Sequence, residues 1–281
     1  MAAADTSRGR DALLAAGPAL LAVLLGVVPL VVLLAESVGT PPLSNYRTVV
    51  SLDQPLYLRS LVRSLGVGLA VTTACLVIAY PVTYWLAHRC PKRHRLPALV
   101  ALTLPLWLNY VVLNYTWVWI LARGGLLNEL LTGLGLVEQP LGLLYTDVSV
   151  VVGFVYIYLP YVVLTMYVSM ERLDYRLVEA ARDLGATNAR VFRDVVLPRT
   201  VAGAAAAALI VYARIAGAFA TPEILGGPGN VMVARLVVDA FYEYLDYGFA
   251  AALSFVFLAV VAAGFLLGAT VPAVRAELKR W

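Results

Sequence analysis

The chain has 281 residues, of which 62% are hydrophobic and 14% charged, with 21 Lys and Arg against 17 Asp and Glu. Soluble domains average roughly 45–50% apolar and about 25% charged residues, and a mean hydropathy of +0.84 lies far from that class. The composition excludes a soluble enzyme, a disordered regulator and a DNA-binding domain, and it makes the net charge of +4 a statement about membrane orientation.

A spanning helix needs about 20 apolar residues to cross roughly 30 Å of hydrocarbon. Six stretches meet that length. Long continuous apolar runs read as helices, because backbone in lipid must satisfy its own hydrogen bonds. The first, Ala12–Ala35, follows Arg8 and Arg10. Its 24 residues exceed the roughly 7–15 of a signal-peptide core, so it is read as a retained first helix. The second, Ser64–Ala87, carries Tyr80-Pro81, and a basic turn over His88–Arg95 leads into the third, Leu96–Ala122. That third stretch holds Pro105, Asn109, Tyr110, Asn114 and Tyr115, and the fourth, Val148–Met170, holds Pro160. The fifth, Thr200–Pro222, has Arg214 about midway along it and Glu223 just after it, and the sixth is Tyr247–Val274. Together they cover 149 residues and contain one charged residue, Arg214. The expectation is an all-α polytopic membrane protein with six transmembrane helices.

With the N-terminus inside, the inner segments hold 15 Lys and Arg and the outer ones 5, as the positive-inside rule requires. Both termini are then cytoplasmic, and the dense basic turn His88–Arg95 serves retention and lipid headgroups, not nucleic acid. Intramembrane ionisable and polar groups are expensive and face a cavity or a partner. Arg214, Asn109, Tyr110, Asn114, Tyr115 and Glu223 are therefore candidate pathway residues, with helix–helix hydrogen bonding the alternative for the polar ones. Pro81, Pro105 and Pro160 interrupt three helices and are candidate bending points. No G-x-x-x-x-G-K-[ST] loop, Ser-His-Asp order or metal-ligand cluster occurs, so no catalytic residue, cofactor or metal is expected on this chain. A self-sufficient secondary transporter would need coupling carboxylates inside the membrane, and none of the six stretches contains Asp or Glu.

The inner loop Glu171–Arg199 has 29 residues where the other inner turn has eight. Its periodicity predicts a helix capped by Asp174, with Leu173, Leu177, Ala180, Ala181 and Leu184 on an apolar face and Arg176, Glu179 and Arg182 placed to pair. Gly185 would stop it in the left-handed region, Thr187 would cap a second short helix, and Leu197-Pro198 would end that one.

Glu179-Ala180-Ala181, then Gly185 after three residues, then Val195-x-Leu197-Pro198 after nine, resembles the EAA signature of ATP-binding cassette (ABC) importer permeases, with Val195 where the family pattern has Ile. Over about residues 57–270 the chain further resembles the spermidine/putrescine (PotB-like) branch. The matching residues are Tyr80-Pro81, Pro105-x-Trp107-x-Asn109, Gly125-x-Leu127-Asn128, Gly153-x-Val155-Tyr156 with Leu159-Pro160, and Thr221-Pro222-Glu223-x-Leu225-Gly226-Gly227. Many relatives carry an acid where Gly217-Ala218-Phe219 has Ala218. Permeases for iron(III), thiamine and aminophosphonates share much of the pattern. The resemblance implies a MetI-like type I permease fold in the plasma (inner) membrane. It implies residues 1–56 as tail, first helix and outer loop, 57–274 as the permease core, and 275–281 as a tail. It also implies ATP-consuming cytoplasmic ATPase subunits, a second permease and an extracytoplasmic solute-binding protein as partners, with residues 171–199 as the ATPase-coupling loop.

Overall fold

The computed structural model describes residues 3–51 and 55–269, so the expected tail at 275–281 and the last residues of the sixth stretch lie outside the described residues. Every regular element among the described residues is helical. The order is α1 (Ala3–Val38), α2 (Ser44–Val50), α3 (Pro55–Tyr84) with a π-turn at Trp85–Arg89, α4 (Lys92–Thr103) with a 3₁₀ turn at Leu104–Trp107, α5 (Tyr110–Leu121) and α6 (Leu126–Gly133). There follow α7 (Asp147–Glu171), α8 (Tyr175–Asp183), α9 (Asn188–Val191) with a π-turn at Phe192–Val196, α10 (Leu197–Ala216), α11 (Ala220–Gly226), α12 (Val233–Tyr242) and α13 (Tyr247–Ala269).

Four of the expected spans are long continuous apolar helices or helix runs: Pro55–Arg89, Asp147–Glu171, Asn188–Ala216 and Tyr247–Leu266. The first expected span lies inside α1, whose exposed apolar side chains, Leu20, Leu25 and Leu30 among them, mark a helix meant for lipid or a protein partner. The third span departs from expectation. It is not one helix but a broken pair, Lys92–Trp107 and Tyr110–Gly133, bent by 95°. Pro105 tightens the chain into the 3₁₀ turn, Leu108 is extended, and Asn109 restarts the helix by accepting a 2.8 Å bond from the Val111 N–H. Pro81 and Pro160 instead lie within continuous helices. The fifth expected stretch, Thr200–Pro222, overruns its continuous helix run: α10 stops at Ala216, and Gly217-Ala218-Phe219 separates it from α11.

The chain divides into two compact units, Met1–Leu58 with Leu236–Leu258, and Arg59–Arg235 with the segment from Ala259 on. In the first unit, the buried Ser37 hydroxyl donates to the Leu34 carbonyl and shares a 2.7 Å bond with the Tyr46 hydroxyl, fixing α2 against the end of α1. Gly248 lies where a Cβ would come within 2.9 Å of the Glu36 carbonyl, so α13 and α1 meet backbone to backbone there. The second unit is built on α7. A reciprocal Thr146–Ser149 box caps its start, and fully buried Phe154, Val162, Val163 and Met166 along it pack in one core with Val211 and Ile215 of α10 and Val71 and Cys75 of α3. At Gly203 a Cβ would lie 2.6 Å from the Ser169 Cβ, the close small-residue contact expected between membrane helices.

Candidate functional site

The loop Glu171–Arg199 folds as two short helices. Asp174 caps α8 by accepting from the Arg176 N–H at 3.0 Å, and Gly185 ends it at φ +82°. The Ala186 N–H donates to the Ala181 carbonyl and the Gly185 N–H to the Arg182 carbonyl, the two bonds of a Schellman stop. Nothing lies within 4 Å of a Cβ at Gly185, so its backbone, not its surroundings, demands glycine. Thr187 then caps α9.

Leu197-Pro198 does not end the second helix, as its pattern suggests. The run Asn188–Ala216 is continuous through the π-turn, where the Leu197 N–H donates five residues back to the Phe192 carbonyl. Pro198 falls in the first turn of α10 beside this wider register. A π-turn frees the i−4 carbonyls that a proline cannot serve.

The face that α8 buries also differs from the expected one. Val178, absent from the expected stripe, is fully buried with Leu173, Met170, Val191 and Val196, and Ala181 is half-buried against them. Leu177, Ala180 and Leu184 (89% exposed) point away from the chain's own body, next to exposed Glu179. Arg182 does not pair along the helix with Glu179 but reaches Tyr175 Oη and Asn188 Oδ1, each at 3.3 Å. Tyr84 and the Arg182 guanidinium hold the Tyr175 phenol below its ordinary range. Val195 and Leu197 are half-buried, and Pro198 is exposed.

At the other end of α10 a cavity of about 410 Å³ opens between the break in the third span, α5, α7 and Gly217–Ala220. Of the sequence candidates, Pro105, Tyr110 and Arg214 line it. Arg214 sits in the last turn of α10, not midway along a longer helix, with its guanidinium 5.4 Å from the Tyr161 ring centre. A cation there is favoured by the helix C-terminus and by the ring face. The Tyr110 hydroxyl accepts from the Thr221 N–H at 3.1 Å and shares a 2.7 Å bond with the Thr221 hydroxyl, tying α5 to α11.

The other candidates lie elsewhere. Asn109 caps α5, and Asn114 is buried with its Nδ2 donating to the Tyr110 carbonyl. Tyr115 points outward, and Glu223 is ion-paired with Arg235. Sequence reasoning missed Tyr158 and Tyr161, whose three-residue spacing on α7 puts both on the cavity wall. Among the described residues no carboxylate lines the cavity, and Arg214 is the one charged residue that does.

The sequence signature described as "Binding-protein-dependent transport system inner membrane component" spans residues 69–276, and the chain belongs to that family. It is therefore a multi-pass inner-membrane permease of the ABC importer type, a transport subunit with the MetI-like fold. Over 212 residues it is 36% identical to the spermidine/putrescine transport system permease protein PotB of Escherichia coli (strain K12), covering 75% of this chain and 76% of that one. The PotB of Haemophilus influenzae is 33% identical over 235 residues, covering 81% and 82%. Among solved structures, a bacterial ABC transporter that imports the acidic polysaccharide alginate aligns with a TM-score of 0.78 at 18% identity, over 96% of this chain and 98% of that one. A bacterial alginate ABC transporter in complex with an alginate pentasaccharide-bound periplasmic protein aligns at 0.77 and 15%, over 96% and 97%. These two carry the fold.

Proposed function

We propose that this chain is one of two permease subunits that together form the pathway of a polyamine importer fed by an extracytoplasmic binding protein. The names of its 33–36% identical relatives support the cargo class. The loop Glu171–Arg199 and both termini face the cytoplasm in this reading, which the distribution of Lys and Arg supports. Residues 57–274 form the permease core. ATP is consumed by separate ATPase subunits, and this chain binds no cofactor.

One observation carries the mechanism. The coupling loop and the cavity sit at opposite ends of a single helix run, Asn188–Ala216, which at 1.5 Å per residue is roughly 40 Å long. Leu177, Ala180 and Leu184 form an exposed apolar ridge that fits a groove on an ATPase, with Glu179 as its charged anchor. Ala181, Val195 and Leu197 seat the loop on the chain's own helices. Movement of the ATPase displaces α8, and the continuous run carries the displacement to Arg214 and the cavity. Pro105 and the two helix breaks are the bending points.

Reconstitution with the ATPase, second permease and binding protein tests this reading. ATP-dependent uptake of labelled spermidine is expected, and Glu179→Lys should abolish it while the chain still inserts. Wild-type uptake in Glu179→Lys removes the anchor role, and uptake without an ATPase overturns the importer reading. The charge of the cavity favours one second reading. Arg214 without a carboxylate suits an anionic cargo such as an aminophosphonate, in which case that solute, not spermidine, competes for uptake.

A further inference from the structure

We propose that a groove on the membrane face of this chain binds an anionic phospholipid, its phosphate held by Arg89 and Arg182 and one acyl chain lying along α3. The groove encloses about 620 Å³. Its α3 wall is Thr73, Leu76, Val77, Tyr80, Pro81 and Tyr84, spaced so that all six share one helical face. Phe192, Val196 and Leu197 line the groove as well, with Phe192 edge-on to Tyr80 at 5.2 Å between ring centres. Its charged groups, Arg89 and Arg182, gather at one end with Asn188, while the hydroxyls of Thr73, Tyr80 and Tyr84 lie along the α3 wall. From Thr73 to Arg89 the chain rises roughly 24 Å at 1.5 Å per residue. That is one leaflet of a bilayer whose hydrocarbon core is about 30 Å thick, plus its headgroup region.

The polar end lacks a countercharge. Among the described residues no Asp or Glu lines the groove. The Arg182 guanidinium makes two contacts at 3.3 Å, both beyond the usual N–H···O range, and its Nε is buried with no hydrogen-bond partner. Arg89 is exposed and joins no ion pair among the described residues. Guanidinium donors match phosphate oxygens in paired geometry. The ligand must therefore present an anion at one end and hydrocarbon over the rest, and at membrane depth the molecule that does both is a phospholipid. A second permease chain could cover the apolar walls, but it would leave the two arginines without the anion they are placed to hold. Because Arg182 belongs to α8 and Arg89 to the turn after α3, the bound headgroup would join the coupling loop to the inner end of α3. Placement in the cytoplasmic leaflet rests on the orientation proposed above, whereas the site itself does not.

Native mass spectrometry of the full chain tests this, titrating palmitoyl-oleoyl phosphatidylglycerol against the matching phosphatidylcholine. Phosphatidylglycerol should bind at least tenfold tighter, and Arg89→Gln with Arg182→Gln should erase that preference. Val77→Trp fills the groove from a position 66% exposed, outside the packed core, and should weaken both lipids at least tenfold. Millimolar inorganic phosphate should displace neither. Undiminished preference in the double glutamine variant overturns the proposal. So does displacement by inorganic phosphate that Val77→Trp does not alter, which would mark a free-anion site. Photo-crosslinking from position 77 in membranes that captures the second permease in place of lipid also overturns it.

Discussion

Gly185 offers the sharpest test of how the coupling loop is built. Its φ of +82° is left-handed, and a Cβ would meet nothing within 4 Å. Substitution is therefore penalised by backbone conformation alone. For alanine that penalty is roughly 1–2 kcal/mol, which shifts the balance between the stopped and unstopped loop by a factor of about 5–30. Asparagine visits the left-handed region with less strain, and a β-branched residue there is a genuine outlier. The expected order of binding-protein-stimulated ATP hydrolysis in reconstituted transporter is thus Gly185 above Gly185→Asn, above Gly185→Ala, above Gly185→Val. Insertion and basal hydrolysis should be unchanged across the series. Asparagine failing as badly as valine would refute the reasoning, because it would mean that side-chain bulk against a docked partner, not φ, sets the requirement.

Gly203→Ala should lower the melting temperature of the detergent-solubilised chain, since its Cβ would fall 2.6 Å from the Ser169 Cβ. An overpacked contact of this kind costs about 1–3 kcal/mol, and Ser169→Gly in the same chain should restore more than half of it. Arg214→Gln should raise the apparent affinity for spermidine about fivefold, as expected when roughly 1 kcal/mol of like-charge repulsion is removed. Loss of aminophosphonate uptake in that variant, with spermidine uptake unchanged, would favour the anionic-cargo reading. Tyr110→Phe removes the hydroxyl that serves both the Thr221 N–H and its side chain. A partner left unsatisfied costs about 1–3 kcal/mol, so uptake should fall with no change in insertion, measured by transport and by protease accessibility in parallel.

The sequence made the helices legible because lipid leaves few alternatives to long apolar runs, and it made the loop legible because caps and stops are local. Asp174, Gly185 and Thr187 act within three residues of themselves, and each sits where its chemistry places it. What escaped was set by tertiary contact. Apolar stretches do not reveal which face is buried, so Val178 was hidden behind Leu177 and Leu184, which the chain leaves exposed. Tyr158 and Tyr161 carried no signal within a stretch that is apolar all round. The break at Leu108-Asn109 was written in plain residues: Pro105 followed by an Asn, a good N-cap, at 109. Uninterrupted hydropathy across it masked the restart.

The two breaks explain why the cavity lies where it does. A helix that stops inside the membrane leaves carbonyls and N–H groups without intrahelical partners, and hydrocarbon offers them nothing. Such backbone is tolerated only where it is buried in protein or lines a water-filled cavity. Leu104–Trp107 with Leu108 is one such segment, and Gly217-Ala218-Phe219 is the other. Residues of both line the same 410 Å³ space, together with Arg214 and the tyrosine ring that faces it. Both interruptions therefore open on one space, where their freed backbone groups are not left against hydrocarbon. The second interruption ends α10 so that Arg214 lands in its last turn, at the rim of that space.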